Sequence, residues 1–366
     1  MAAARSANRE VYIDTFRGLM ALVMVQGHLC DALLRPVIRA QAFYQFQAMF
    51  HGSTAPGFLF ASGFVAGLPR APLSARAAVR RALRLGFILG VGYVLHLPYF
   101  SLAKTLIATP GEKAALFACD ALQVIAVTQL VVIALQAVAR ARWTAWAGAL
   151  ALGVIAVGPA LWAAQVSSRL PPFLGAYLDN RAGSTFPLFP YAAFVLAGTV
   201  AGAALGRQEP RVRHRRALAW GLGLLVGGAV LAPLLEDRVD YWSISPAYVF
   251  VRLGGLLLLM RIVEALVARG MRGTEALALL GRETLLVFVL HLYLLFGGIT
   301  GPAPLARYVG RLDLWGALVA LALLVAVLLP AAWLWRSAKQ RAPHEASMAL
   351  MFLSVAFLYE FLTRPW

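Results

Sequence analysis

The sequence predicts an all-α, polytopic membrane bundle of about eleven spans (10–12), with the N-terminus in the cytoplasm. Three observations carry that prediction. Of 366 residues, 61% are hydrophobic and 13% charged, where ordinary soluble domains sit near half apolar and about a quarter charged. The mean hydropathy is +0.75. Long apolar runs recur along the whole chain, divided by short loops rich in arginine. No long polar linker interrupts them, so residues 1–10 read as a cytoplasmic arm and 11–366 as one transmembrane domain.

Taken in order, the first span covers about 11–34. It follows a short arm with Arg5 and Arg9 and is too long for the apolar core of a cleavable signal. An aromatic, amphipathic connector follows, with Phe43, Tyr44, Phe46 and Phe50. The second span, about 53–68, opens on His51-Gly52-Ser53-Thr54. A loop with Arg70, Arg76, Arg80, Arg81 and Arg84 leads to spans at about 86–108, 117–138 and 143–164. A longer connection occupies about 165–186. The sixth span, about 187–206, ends at a cluster containing Arg211, Arg213, Arg215 and Arg216. The remaining spans are expected at about 217–235, 247–268, 284–299, 314–335 and 347–362. With the N-terminus inside, the cytoplasmic segments hold about twenty Lys and Arg against about ten on the other side.

The net charge of +17 is explained by these loops and does not indicate a nucleic-acid partner. An acidic or phosphate-bearing cytosolic ligand is compatible with it. Cys30 and Cys119 are the only cysteines, so no disulfide framework exists, although one bridge between them stays open. The glycines form neither a phosphate loop nor a dinucleotide fingerprint. The histidines lack metal-ligand spacing, and no metal is expected.

The first span is unusual because it carries Asp14, Arg17, His28 and, at its end, Asp31. Ionisable groups in a spanning helix are costly and face a bundle interior or a polar cavity. Arg17 and His28 are eleven residues apart, close to three turns, so they share a face about 16 Å apart along the axis. Asp14 and Asp31 sit three residues outside them, on the same stripe. Asp14 and Arg17 read as an ion pair, with Arg17 also suited to an anionic ligand from the cytoplasm. His28 and His51 lie toward the opposite membrane side, joined by a short connector. Histidine titrates near neutrality and suits removal of a proton from an amine or hydroxyl. Asp120 reads as a helix cap. Arg252 needs a partner that the sequence does not name, and His291 reads as a structural bond between helices.

Several segments resemble the catalytic domain of the heparan-alpha-glucosaminide N-acetyltransferase family. They are Ile13-Asp14-Thr15-Phe16-Arg17-Gly18-Leu19, Asp120-Ala121-Leu122-Gln123-Val124-Ile125, and Phe186-Pro187-Leu188-Phe189-Pro190-Tyr191 with Gly198 and Gly202. Leu280-Gly281-Arg282-Glu283-Thr284-Leu285, with His291, resembles a late helix shared with the acyltransferase 3 family. Arg17 with ten residues before His28 also fits the acyltransferase 3 pattern.

The resemblance implies a transmembrane acyltransferase. Such an enzyme takes an acyl group from cytosolic acyl-CoA and delivers it to a sugar or glycan on the far side; acetyl-CoA is the first expectation, with another acyl-CoA left open. It implies His51 as the catalytic histidine, within His51-Gly52-Ser53. The position of His28 is asparagine in the heparan enzyme and histidine in acyltransferase 3, so either His28 or His51 is the base. The donor is expected to meet Arg17 and Asp14. The competing class is a transporter of a polar or anionic small molecule, which the concentration of charge in the N-terminal spans disfavours. The arginine- and alanine-rich composition fits a bacterial inner membrane, with the oligomeric state open, a homodimer included.

Overall fold

The computed structural model describes residues 2–69, 73–181, 183–298 and 302–364. Arg70 and residue 299, the expected end of the ninth span, lie outside them, as do the side chains of Arg5 and Arg9. No strand occurs among the described residues; a parallel bridge pairs Leu34 with Leu312.

The long helices are, in order, α1 (Ala2–Leu33), α2 (Ala42–His51), α3 (Thr54–Gly67), α4 (Ala75–Leu95) and α5 (Ala121–Val138). They continue as α6 (Trp143–Ala163), α7 (Leu188–Leu205), α8 (Pro210–Leu235), α9 (Pro246–Ala268) and α10 (Thr274–Arg282). The chain ends with α11 (Thr284–Phe296), α12 (Leu314–Arg341) and α13 (Pro343–Thr363). Among the described residues, six stretches are long and apolar enough to cross a membrane: α5, α6 with the turn before it, α7, α8, α12 and α13. The pair α10–α11, bent by 85° at Glu283, makes a seventh if it counts as one broken span. The other expected spans fall on helices that carry ionisable groups (α1, α4, α9) or on α3, which has 14 residues. The protein is all-α and multi-pass.

Two boundaries differ from expectation, each for a local reason. The third span was expected at 86–108, but α4 starts at Ala75 and stops at Leu95. Ser74 caps its start, and Pro98 prevents its continuation beyond His96-Leu97. The arginine cluster expected as a loop before the seventh span lies inside α8. Pro210 presets the first turn, and arginine is a good helix former.

The chain forms two compact units. The first comprises Met1–Ala55, Phe100–Lys104 and Ile262–Trp366. There α1 packs against α2, α10, α11 and α12, and α13 packs on α12. The tightest approach is α1 on α10. A Cβ built at Gly18 would lie 1.7 Å from the Leu277 carbonyl oxygen, and one built at Gly281 would lie 1.7 Å from that of Asp14. Only glycine permits two backbones to come so close. At the other end of α1, Arg35 N–H donates to Leu312 O (3.0 Å) and Leu312 N–H to Leu33 O (2.9 Å). These bonds tie the end of α1 to the segment entering α12.

The second unit comprises Pro56–Tyr99 and Thr105–Arg261. Its most buried helix is α7, which packs against α5 and α6 around Val132, Ala147, Ala151 and Leu196. Gly198 and Gly202 meet the carbonyls of Phe60 and Phe64, the small-residue contact common between apolar helices. Asp120 caps α5 in a capping box with Gln123, and its carboxylate also lies 3.7 Å from His96 Nε2. Arg252 sits over the Tyr248 ring, 5.2 Å from its centre. Both cysteines are free thiols, which closes the option of a bridge.

Candidate active site

The charged stripe of α1 lies wholly in the first unit, and its two ends meet the same helix, α11. At the N-terminal end the close contact at Gly18 and Gly281 brings Asp14 against Arg282. Arg282 Nε donates to Asp14 Oδ2 at 2.8 Å. Arg17 Nη1 is 3.8 Å from Asp14 Oδ1, and its Nη2 donates to Thr284 Oγ1 at 2.5 Å. The expected Asp14–Arg17 pair therefore exists, but the shorter bond goes to a second arginine. Thr15 Oγ1 adds a bond to the Thr274 carbonyl at 3.3 Å. Glu283, buried at the bend between α10 and α11, accepts from Lys339 of α12 at 2.6 Å. At the bend Arg282 and Thr284 meet α1 while Glu283 meets α12.

Asp14 and Arg282 are expected to be energetically coupled. Thermal unfolding of D14A, R282A and the double variant should give a coupling of about 1–3 kcal/mol. Strictly additive effects would remove the pair from the account of how α10 is held.

The other end of the stripe is a group of imidazoles. His28 Nδ1 lies 2.9 Å from His291 Nε2 of α11. His291 Nδ1 lies 2.8 Å from the Val287 carbonyl oxygen, one turn back on its own helix. The ring planes differ by 18° and the centroids are 5.2 Å apart. That separation equals the nitrogen contact plus the two ring radii, so the rings meet edge to edge in one plane. His291 is completely buried, whereas His28 is half-buried.

His51 approaches α1 from the last turn of α2. A Cβ at Gly27 would lie 2.1 Å from His51 Nδ1, so the ring rests on the backbone directly before His28. Its Nδ1 is 4.0 Å from Asp31 Oδ2. The Tyr44 hydroxyl donates to the other oxygen of Asp31. Burial, and then the bond to Asp31, push the Tyr44 phenol above its ordinary range, so it stays protonated as a donor. Gln26 and Gln47 join the same two helices at 3.1 Å. Tyr44, Gln47 and His51 are spaced three and four apart, so one face of α2 turns to α1. Phe46 and Phe50 remain exposed on the other face.

Beside this group a cleft of about 230 Å³ opens between α1, α2 and α12. Phe43, Leu314, Leu318 and Leu321 give it an apolar wall, and Gln26, Cys30, Tyr44 and Gln47 its polar edge. Tyr44 belongs both to that edge and to the Asp31 contact.

All four residues singled out from sequence, Asp14, Arg17, His28 and His51, thus lie on or against one helix. Asp31, expected on the same stripe, turns to the connector instead. His291, expected as a structural bond, meets His28 directly. Thr284 and Arg282 were visible within a quoted segment but carried no role. A signal for them existed in the spacing: Thr284 and His291 are seven residues apart, two turns on one face.

Residues 9–231 match a family described as heparan-alpha-glucosaminide N-acetyltransferase, catalytic. No curated protein matches the chain. The matched stretch includes Asp14, Arg17, His28 and His51, while Arg282, Thr284 and His291 lie beyond it.

Proposed function

Because the chain belongs to the heparan-alpha-glucosaminide N-acetyltransferase catalytic family, a multi-pass membrane acyltransferase, we propose that its donor is cytosolic acetyl-CoA and its acceptor a sugar on the opposite side. In this reading residues 11–366 act as one transmembrane domain with the N-terminus inside, in a bacterial inner membrane. The observation that carries it is the seam between α1 and α11. Its anion-attracting end is Arg17 on Thr284, and its imidazole end is His28 on His291. The ends are about 16 Å apart along α1, a span suited to an extended pantetheine arm.

Arg17 and the arginines of the cytoplasmic loops attract the donor's phosphates. The thioester lies beside His28 and His51. One imidazole takes the proton of the acceptor amine or hydroxyl as its nitrogen or oxygen bonds to the thioester carbonyl carbon. The other donates to the developing oxyanion or orients the acceptor. Collapse of the adduct breaks the carbon–sulfur bond, and coenzyme A leaves as the thiolate. A low-dielectric setting strengthens each of these interactions.

Purified protein given acetyl-labelled acetyl-CoA and a glucosamine-terminated oligosaccharide should yield labelled N-acetyl product. In proteoliposomes, movement of ligand across the bilayer with no thioester turnover would favour a transporter and sink the enzyme reading. Arg17→Ala should raise the donor KM about 10–100-fold, the loss of a charge-assisted contact, with a smaller change in kcat. An unchanged donor KM would remove Arg17 from donor binding.

A further inference from the structure

We infer that His291 is a positioning residue that fixes the tautomer of His28 and makes His28 the base of the pair His28 and His51. The inference rests on the acyltransferase reading above and extends it to a residue outside the matched stretch.

The argument starts at a backbone carbonyl. The Val287 oxygen has lone pairs and no proton, so the 2.8 Å contact requires a proton on His291 Nδ1. A ring buried as completely as His291 is neutral, since an isolated buried charge costs far more than one hydrogen bond returns. A neutral ring protonated at Nδ1 presents a lone pair at Nε2. The 2.9 Å contact from that Nε2 to His28 Nδ1 then requires the proton on His28 Nδ1. Neutral His28 is left with its basic lone pair on Nε2, the nitrogen pointing away from His291. The carbonyl sets the first ring, and the first ring sets the second.

The same chain orients the ring. When His28 Nε2 takes the acceptor's proton, the resulting imidazolium still donates through Nδ1 to His291 Nε2. The coplanar, edge-to-edge geometry keeps that bond straight throughout. No proton leaves His291, and the proton gained by His28 is available to the departing thiolate. His51 has no comparable arrangement. Its Nδ1 stands 4.0 Å from Asp31, beyond hydrogen-bond reach, and that carboxylate is half-exposed and held by Tyr44.

Nitrogen NMR on 15N-histidine-labelled protein reads the tautomer without any turnover. The chain has six histidines, and the His28 signals are assigned by their loss in His28→Gln. Wild-type His28 is expected to carry its proton on Nδ1. In His291→Phe, which keeps the bulk and removes the acceptor, the proton should move to Nε2 in most molecules. In the same variant kcat should fall about 10–100-fold, part of the range for general-base catalysis, with donor KM within about twofold. His291→Gln, whose amide oxygen can accept from Nδ1, should recover at least about tenfold of that loss and restore the tautomer. A wild-type His28 protonated on Nε2, or a His291→Phe enzyme with wild-type kcat, overturns the inference. A His28→Ala enzyme at wild-type rate overturns it too and leaves His51 as the base, whereas wild-type protein that turns over no acetyl-CoA overturns the underlying reading instead.

Discussion

Replacing His28 with alanine is expected to lower kcat for acyl transfer by roughly 10²–10⁴-fold, the usual contribution of a positioned general base. The donor KM should change little, because Arg17, the residue proposed to meet the donor's phosphates, lies at the far end of α1. The fold should survive. His28 is half-buried, the residues that hold α1 on α10 are elsewhere, at Asp14, Gly18, Arg282 and Gly281, and Arg17 still joins α1 to Thr284 of α11. His51→Ala is the internal comparison. Its ring rests on Gly27 and is tied to Asp31 only at 4.0 Å, so it is suited to an orienting or donating part. About tenfold is the expected loss there, well below that of His28→Ala. The opposite ranking, with His51→Ala the more damaged enzyme, would make His51 the base. Acid limbs of kcat/KM supply a second reading. In wild type the limb reports the essential imidazole, and it should disappear from the residual activity of His28→Ala but persist in His51→Ala.

The sequence carried the stripe of α1 further than the elements that complete it. Asp14, Arg17 and His28 were legible because charge in an apolar run has one economical explanation, an inward face, and helical spacing says which residues share it. Both ends of that face do meet α11. His51 was legible because it ends an amphipathic connector, the pattern that turns Tyr44 and His51 toward α1. His291 was legible as a bond between helices, which its contact with His28 is, but not as the orienting group inferred above, since a lone histidine in an apolar helix looks alike in either part. The difference lies in which nitrogen faces which atom, a matter of tertiary contact across 263 residues of sequence. The bend at Glu283 was hidden for a related reason. Leu280–Leu285 contains neither proline nor a polar gap long enough to announce a break. The 85° turn is stabilised by bonds to Asp14, Arg17 and Lys339, all from distant segments. Span boundaries shifted likewise. Hydropathy gave about eleven apolar stretches, but α4 is stopped by Pro98 and α8 takes in the arginines expected outside it.

A single methyl group at residue 281 should be the most damaging small change in the first unit. In Gly281→Ala the new Cβ would sit 1.7 Å from the Asp14 carbonyl oxygen, 2.6 Å from its carbon and 2.9 Å from the Gly18 nitrogen. All three are backbone atoms of α1, so no rotamer change relieves the clash, and α10 must move away as a body. That movement stretches the Arg282–Asp14 and Thr15–Thr274 bonds and displaces Thr284 from Arg17. Overpacking alone costs about 1–3 kcal/mol, and the lost contacts add to it, so the expected destabilisation exceeds about 3 kcal/mol. The site should suffer as well. His291 follows Thr284 on the same rigid helix, and a shift near 1 Å at a catalytic group is enough to cost about 100-fold in rate. Gly18→Ala, which meets Leu277 in the same way, should behave alike. Gly86→Ala on α4 is the control: nothing lies within 4 Å of its Cβ, and alanine favours the helix by about 0.5–1 kcal/mol. Thermal unfolding in detergent and kcat on the surviving protein measure both effects. If Gly281→Ala unfolds at the temperature of Gly86→Ala, α1 and α10 do not meet backbone to backbone, and the seam that joins Arg17 to His28 loses the contact that aligns it.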